Sequence, residues 1–113
     1  MHELSITQEL LTVALQHARE AGANRITRVR VKVGEFTAVD PACLEYYFTG
    51  ISEGTIADGA ELAVDKVPLA ARCSDCETPF VPEDFSFRCP ACRSAQVRIT
   101  SGRELFVESI EVI

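Results

Sequence analysis

The chain has 113 residues, of which 47% are hydrophobic and 25% are charged, and its formal net charge is −6. This length fits one domain with a small appendage, and the composition excludes a disordered or low-complexity protein. The apolar runs are too short to span a membrane. The acidic charge argues against general nucleic-acid binding because it repels phosphate.

The first predicted element is a helix from about Ile6 to Ala21. Ser5 to Gln8 matches a capping box, in which the Ser5 hydroxyl accepts a hydrogen bond from the backbone N–H of Gln8. Gly22 is a typical helix stop. One apolar stripe has helical spacing and consists of Ile6, Leu10, Val13, Ala14, His17 and Ala21. We therefore interpret His17 as a core or boundary side chain rather than a metal ligand.

Between Ile26 and Phe36 the apolar period becomes two, which predicts a strand. Its apolar face carries Val29, Val31 and Val33, and its basic face carries Arg28, Arg30 and Lys32. Asp40-Pro41 then matches an N-cap followed by proline at the first helical position, and this second helix ends near Gly54. One face of this helix carries Leu44, Tyr47, Phe48 and Ile51. Further strands are predicted at Glu61–Val67 and Leu105–Ile113, and the last one is expected to rejoin the first sheet.

Four of the five cysteines form two Cys-x-x-Cys pairs that are separated by twelve residues. The pairs are Cys73 with Cys76 and Cys89 with Cys92. Two such turns can supply the tetrahedron of thiolates that Zn²⁺ prefers, and four protein ligands leave no open position, so this zinc would be structural. Iron is the nearer competitor, because the second pair resembles one rubredoxin knuckle, but the short gap favours a zinc ribbon. An odd number of cysteines fits a disulfide scaffold poorly.

The cysteine segment, from about Ala70 to Gly102, has few large apolar side chains and would not fold alone without metal. Metal ligation supplies roughly 10–16 kcal/mol of apparent binding energy in such units. We predict an α+β fold in which a small sheet with two helices carries a four-cysteine zinc-ribbon unit inserted before the last strand. The expected domains are residues 1–69 with 103–113, and residues 70–102.

The N-terminus offers a second set of metal donors. The α-amine of Met1, the backbone nitrogen of His2 and the imidazole of His2 can converge on one ion. Deprotonated backbone nitrogens suit square-planar Ni²⁺ or Cu²⁺, and Glu3 could add a backbone nitrogen or a carboxylate. The alternative is a frayed terminus without a ligand role. The odd cysteine, Cys43, is interpreted as a small buried side chain rather than a nucleophile.

Three groups of residues together resemble the HypA/HybF family of metallochaperones, which help to insert nickel into [NiFe]-hydrogenase. They are Met1-His2-Glu3-Leu4-Ser5, the segment from Val33-Gly34-Glu35 to Val39-Asp40-Pro41, and the two cysteine pairs. The resemblance runs the length of the chain. It implies that His2 is the key nickel ligand, that Glu3 contributes next to it, and that Asp40 lies close to the nickel site. It also implies that the four cysteines hold structural zinc.

The resemblance further implies two partners, a HypB-type GTPase and the precursor of the hydrogenase large subunit, and some members of the family also serve urease. The start of the chain lacks a basic leader and a long apolar stretch, so we expect a cytoplasmic protein with reduced thiols, no membrane partner and no nucleic-acid partner. The sequence leaves open whether the chain forms a homodimer and whether the last strand swaps into a neighbouring chain.

The sequence is also compatible with three other functions. A zinc-ribbon module that binds protein or nucleic acid is the first alternative, although acidic residues nearly cancel the arginines of residues 72–103. A small electron-transfer or thiol-redox protein is the second. An enzyme is least favoured, because the chain has no phosphate loop, no nucleophile–base pair and no open metal position with a general base.

Overall fold

Two helices and two small sheets make up residues 3–113, which the computed structural model describes. The helices are α1 (Glu3–Glu20) and α2 (Pro41–Ile51), and a 3-10 turn spans Glu35–Thr37. The strands are β1 (Ile26–Gly34), β2 (Glu61–Val67), β3 (Ala70–Cys73), β4 (Pro79–Phe80), β5 (Val97–Ser101) and β6 (Leu105–Val112). This architecture confirms the predicted α+β class.

The first sheet has the strand order β2-β1-β6. Strand β2 is parallel to β1, and α2 lies on the crossover between them, as parallel pairing requires. Strand β6 is antiparallel to β1. The last strand therefore rejoins the first sheet, as the sequence predicted, and it does so within its own chain, a point that the sequence left open.

Strand β1 is the centre of the core. Its apolar face consists of Val29, Val31 and Val33, which are fully buried together with residues of both helices. Its basic face forms ion pairs with acidic residues of β2 and β6; Lys32 Nζ, for example, lies 3.0 Å from Asp65 Oδ2 and 3.2 Å from Glu108 Oε2. Such partly exposed pairs contribute about 0–1 kcal/mol each, so burial of the valines dominates the stability of this sheet.

The start of α1 differs from the prediction. The helix begins at Glu3 rather than Ile6, so Ser5 lies inside the helix and the predicted capping box is wrong. The buried positions are Thr7, Leu10, Leu11, Ala14 and Ala18. The buried face is thus rotated relative to the predicted stripe, and Val13 and His17 are exposed. The interpretation of His17 as a core or boundary residue is therefore wrong.

The start of α2 agrees with the prediction. Asp40 is the N-cap, its Oδ1 accepts a hydrogen bond from the backbone N–H of Ala42 at 3.0 Å, and Pro41 occupies the first helical position. Strand β1, by contrast, ends at Gly34, two residues before the predicted Phe36, because the chain turns there into the 3-10 turn.

The second sheet is antiparallel, has the order β4-β3-β5, and is formed by residues between β2 and β6. The cysteine unit is therefore inserted before the last strand. Sheet membership does not test whether residues 70–102 form a separate domain, so the two-domain division stays a prediction. Within residues 3–113, no helix is long and apolar enough to cross a membrane.

The two sheets meet at a close contact between the backbones of Gly34 and Gly102. The Phe36 N–H donates to the Gly102 carbonyl at 2.8 Å, and the Gly34 N–H donates to the Glu104 carbonyl at 2.6 Å. The Phe36 ring packs against Phe85 and Phe87 of the cysteine unit, with ring centroids 6.1 and 5.9 Å apart. A Cβ atom at Gly34 would overlap the Gly102 carbonyl, so only glycine fits this contact.

We expect Gly34→Ala to lower the free energy of unfolding by about 3 kcal/mol or more, because the added methyl meets backbone atoms that cannot move aside. Gly50→Ala is the matched control. No atom lies within 4 Å of a Cβ at Gly50, which lies in α2, so this change should raise stability by up to about 1 kcal/mol. Urea denaturation of both variants at equal metal content measures the difference, and equal stability would contradict the close contact.

Candidate metal centre

The four paired cysteines come together in space. Their sulfur atoms all lie within 4.8 Å of one another, with Cys73 and Cys92 sulfurs 3.6 Å apart and Cys76 and Cys89 sulfurs 3.5 Å apart. A tetrahedron with Zn–S bonds of about 2.3 Å has sulfur–sulfur edges of about 3.8 Å. The cluster therefore has the size that a tetrahedral divalent ion needs.

The first cysteine turn is closed by its own backbone. The Cys73 N–H donates to the Thr78 carbonyl at 3.0 Å, and the Glu77 N–H donates to the Cys73 carbonyl at 3.0 Å. The Asp75 N–H points at the Cys73 sulfur, 3.4 Å away. Glu77 has a positive φ of 61°, which turns the chain back toward the cluster. These bonds fix the first pair of sulfurs before any ion is considered.

The second turn repeats this geometry at the same offsets. The Cys89 N–H donates to the Ser94 carbonyl at 3.0 Å, the Arg93 N–H donates to the Cys89 carbonyl at 2.8 Å, and the Ala91 N–H lies 3.3 Å from the Cys89 sulfur. Arg93 has a φ of 64°. The two cysteine pairs are therefore a structural repeat, and their N–H groups stabilise negative charge on sulfur.

The sulfurs influence one another's ionisation. The Thr78 hydroxyl, 3.1 Å from the Cys76 sulfur, lowers the pKa of Cys76 to about 6, assisted by the Thr78 backbone N–H. The Ser94 backbone N–H lowers the pKa of Cys92, but the Cys73 thiol, burial and the other two thiols outweigh it and raise this pKa to about 12. Four sulfurs this close resist simultaneous ionisation, and a divalent cation between them removes that repulsion.

The remaining predicted site residues lie outside the cysteine cluster or outside the described part of the chain. Met1 and His2 are outside the described residues. Glu3 is the half-buried first residue of α1, and Asp40 caps α2. The Cys43 sulfur lies 3.7 Å from Asp40 Oδ2. Burial raises the pKa of the Cys43 thiol, and the charges of Asp40 and Glu3 raise it further. The two carboxylates therefore act on the same thiol, at the ends where both helices begin.

Cys43 is half-buried rather than buried, so its interpretation as a small buried side chain is only partly right. A raised pKa opposes a role as a nucleophile, as the sequence suggested. Two other residues were missed by sequence reasoning. Thr78 contacts a cluster sulfur, and Thr7 is a fully buried hydroxyl that donates to the Glu3 carbonyl. The only signal for Thr7 was its position four residues after Glu3.

Comparison with known proteins identifies the family of the chain. The family model described as hydrogenase/urease nickel incorporation metallochaperone, HypA, matches residues 1–112. The chain belongs to the HypA family. Hydrogenase maturation factor HypA of Aquifex aeolicus is 39% identical over 99% of this chain and 97% of its own length. The HypA factor of Caldanaerobacter subterraneus is 37% identical over 99% of both chains.

Solved structures of HypA proteins have the same fold. The solution structure of a HypA protein aligns with a TM-score of 0.75 at 30% identity, over 100% of this chain and 97% of that one. The solution structure of the Ni metallochaperone HypA from Helicobacter pylori aligns with a TM-score of 0.71 at 30% identity, over 100% and 98%. Members of the HypA family are metallochaperones and maturation factors, so this chain is not an enzyme.

We expect Cys76→Ser to lower metal affinity at the cluster by more than about a hundredfold. Substitution of residues that only contact a metal ligand already lowers metal affinity about 10–100-fold. Residues 70–102 should then exchange their amide hydrogens faster. Cys43→Ser is the control, since this cysteine lies outside the cluster, and it should keep the metal. Metal analysis and hydrogen exchange test both variants; a Cys76→Ser protein with full metal and unchanged exchange would refute the ligand assignment.

Proposed function

We propose that this chain carries Ni²⁺ at its N-terminus for the maturation of [NiFe]-hydrogenase, while the four-cysteine cluster holds one structural Zn²⁺. The observation that carries the proposal is the closed cluster in a chain of the HypA family. Its four sulfurs fill a tetrahedron and leave no position that could open for a cargo ion. A metal that must be handed on therefore needs a second site with fewer ligands.

The proposed nickel ligands are His2, through its imidazole and backbone nitrogen, with the Met1 amine and Glu3 beside it. The first backbone N–H groups of a helix have no partner within it, so nitrogens at the start of α1 are available to a metal. Asp40 is the proposed second carboxylate near Glu3. Both residues raise the pKa of the Cys43 thiol, which supports their lying close to the same group. Nitrogen donors in a plane suit Ni²⁺, and a site at the chain end can be dismantled by moving one short segment.

The proposed identity of the cluster ion is zinc. Tetrahedral thiolate sites suit zinc or iron, and zinc has no redox chemistry that would interfere with a cargo-carrying role. A colourless purified protein with one zinc per chain supports this assignment, whereas a red protein would favour iron as in rubredoxin.

The proposed partners follow from family membership. We infer a HypB-type GTPase and the precursor of the hydrogenase large subunit, and the family description adds urease as a second client pathway. We also infer that the chain works in the cytoplasm, where the cluster thiols stay reduced.

We expect His2→Ala to abolish Ni²⁺ binding but to leave zinc content and stability unchanged, because the ligands of the cluster are all cysteines of residues 73–92. His17→Ala is the matched control: this exposed histidine is on α1 and should not matter. Titration calorimetry with Ni²⁺ and metal analysis test both variants. Tight, stoichiometric nickel in His2→Ala would defeat the assignment.

A residue added ahead of Met1 should weaken nickel binding, since it removes the free amine from its place in the proposed ligand set. The same residue added after Ile113 serves as the control and should have no effect. Calorimetry on both extended proteins makes the comparison, and equal affinities would show that the terminal amine is not a ligand.

A further inference from the structure

Thr7 is an unusual residue for the buried face of α1. Its side chain is fully buried, whereas the other buried positions of this helix are leucine and alanine. The Thr7 Oγ1 donates a hydrogen bond to the Glu3 carbonyl at 2.6 Å. A methyl group of the same shape would fill the core as well as this hydroxyl does. A buried hydroxyl also costs free energy of folding unless it is hydrogen-bonded.

The same bond occurs elsewhere on α1 without any consequence for a site. Thr12 Oγ1 donates to the Gln8 carbonyl at 2.9 Å, but Thr12 is exposed. Threonine hydroxyls in helices commonly bond to the carbonyl four residues earlier, and the exposed hydroxyl of Thr12 can exchange this bond for one with water. The Thr7 side chain is fully buried, so its hydroxyl cannot replace the bond to Glu3 with one to water.

The Glu3 carbonyl belongs to the peptide group that also carries the Leu4 N–H, at the first turn of α1. Holding this carbonyl therefore fixes the direction of the Glu3–Leu4 peptide plane. A metal site that uses Glu3 depends on how this first turn is held, because nitrogen donors in one plane cannot rotate freely onto the ion.

We propose that Thr7 is a positioning residue for nickel. It anchors the Glu3 carbonyl from the buried side and so holds Glu3, a proposed nickel ligand, in place at the first turn of α1. The inference rests on the proposed nickel site at the start of α1.

The test compares three substitutions by Ni²⁺ calorimetry and by the absorption spectrum of the nickel complex. Thr7→Val keeps the shape and removes the hydroxyl, and it should weaken Ni²⁺ binding about three- to tenfold and change the spectrum, because one hydrogen bond is lost. Thr7→Ser restores the hydroxyl and should recover both. Thr12→Val removes the matching exposed bond and should leave both unchanged.

Zinc content and the free energy of unfolding of each variant separate positioning from stability. If Thr7→Val does not fold, Thr7→Ala takes its place with the same expected loss. Wild-type affinity and spectrum in the variant without the hydroxyl would overturn the role of Thr7, and so would failure of Thr7→Ser to recover them. If His2→Ala binds nickel like the wild type, or the wild type binds none, the proposed nickel site itself fails and Thr7 has no site to position.

Discussion

Repulsion among four cysteine sulfurs is the constraint on which residues 70–102 depend. The sulfurs lie within 4.8 Å of one another, and the other three thiols together raise the pKa of Cys92. Only a cation can hold four thiolates at this distance, and the short strands around them bury few large apolar side chains. The hydrogen bonds of the two cysteine turns bring the sulfurs into place, and the ion supplies the energy that a small apolar core lacks.

Strand β1 connects this unit to the core of the first sheet. Its buried valines anchor both helices, and its last residue, Gly34, contacts the backbone of Gly102 as the chain leaves the cysteine unit. Four residues after the 3-10 turn begins, Val39 returns to the core, and Asp40 starts α2. The start of α2 thus follows, after one tight turn, the end of β1 that contacts the cysteine unit.

The sequence was sufficient to predict what depends on spacing alone. Alternating valines predicted β1, Asp40-Pro41 predicted the start of α2, and the cysteine pairs predicted the cluster. It failed where tertiary packing selects among similar patterns. Two apolar stripes fit α1 almost equally well, and the one with Thr7 and Leu11 faces the core instead of the one with Val13 and His17. Glu77 and Arg93 gave no sign of their positive φ, because neither is glycine. The nickel ligands His2, Glu3 and Asp40 stay a prediction.

The insertion of the cysteine unit also bears on how the first sheet assembles. About 37 residues separate the end of β2 from the start of β6, and bringing the ends of a flexible segment of that length together costs roughly 3 kcal/mol in chain entropy. The hydrogen bonds that join Leu69 to Glu35 and Gly102 to Phe36 hold both ends of the segment against the end of β1. An ion that orders the segment removes part of this entropy cost. Metal binding at the cluster therefore favours pairing of β6 with β1, although β1 carries none of the cluster ligands.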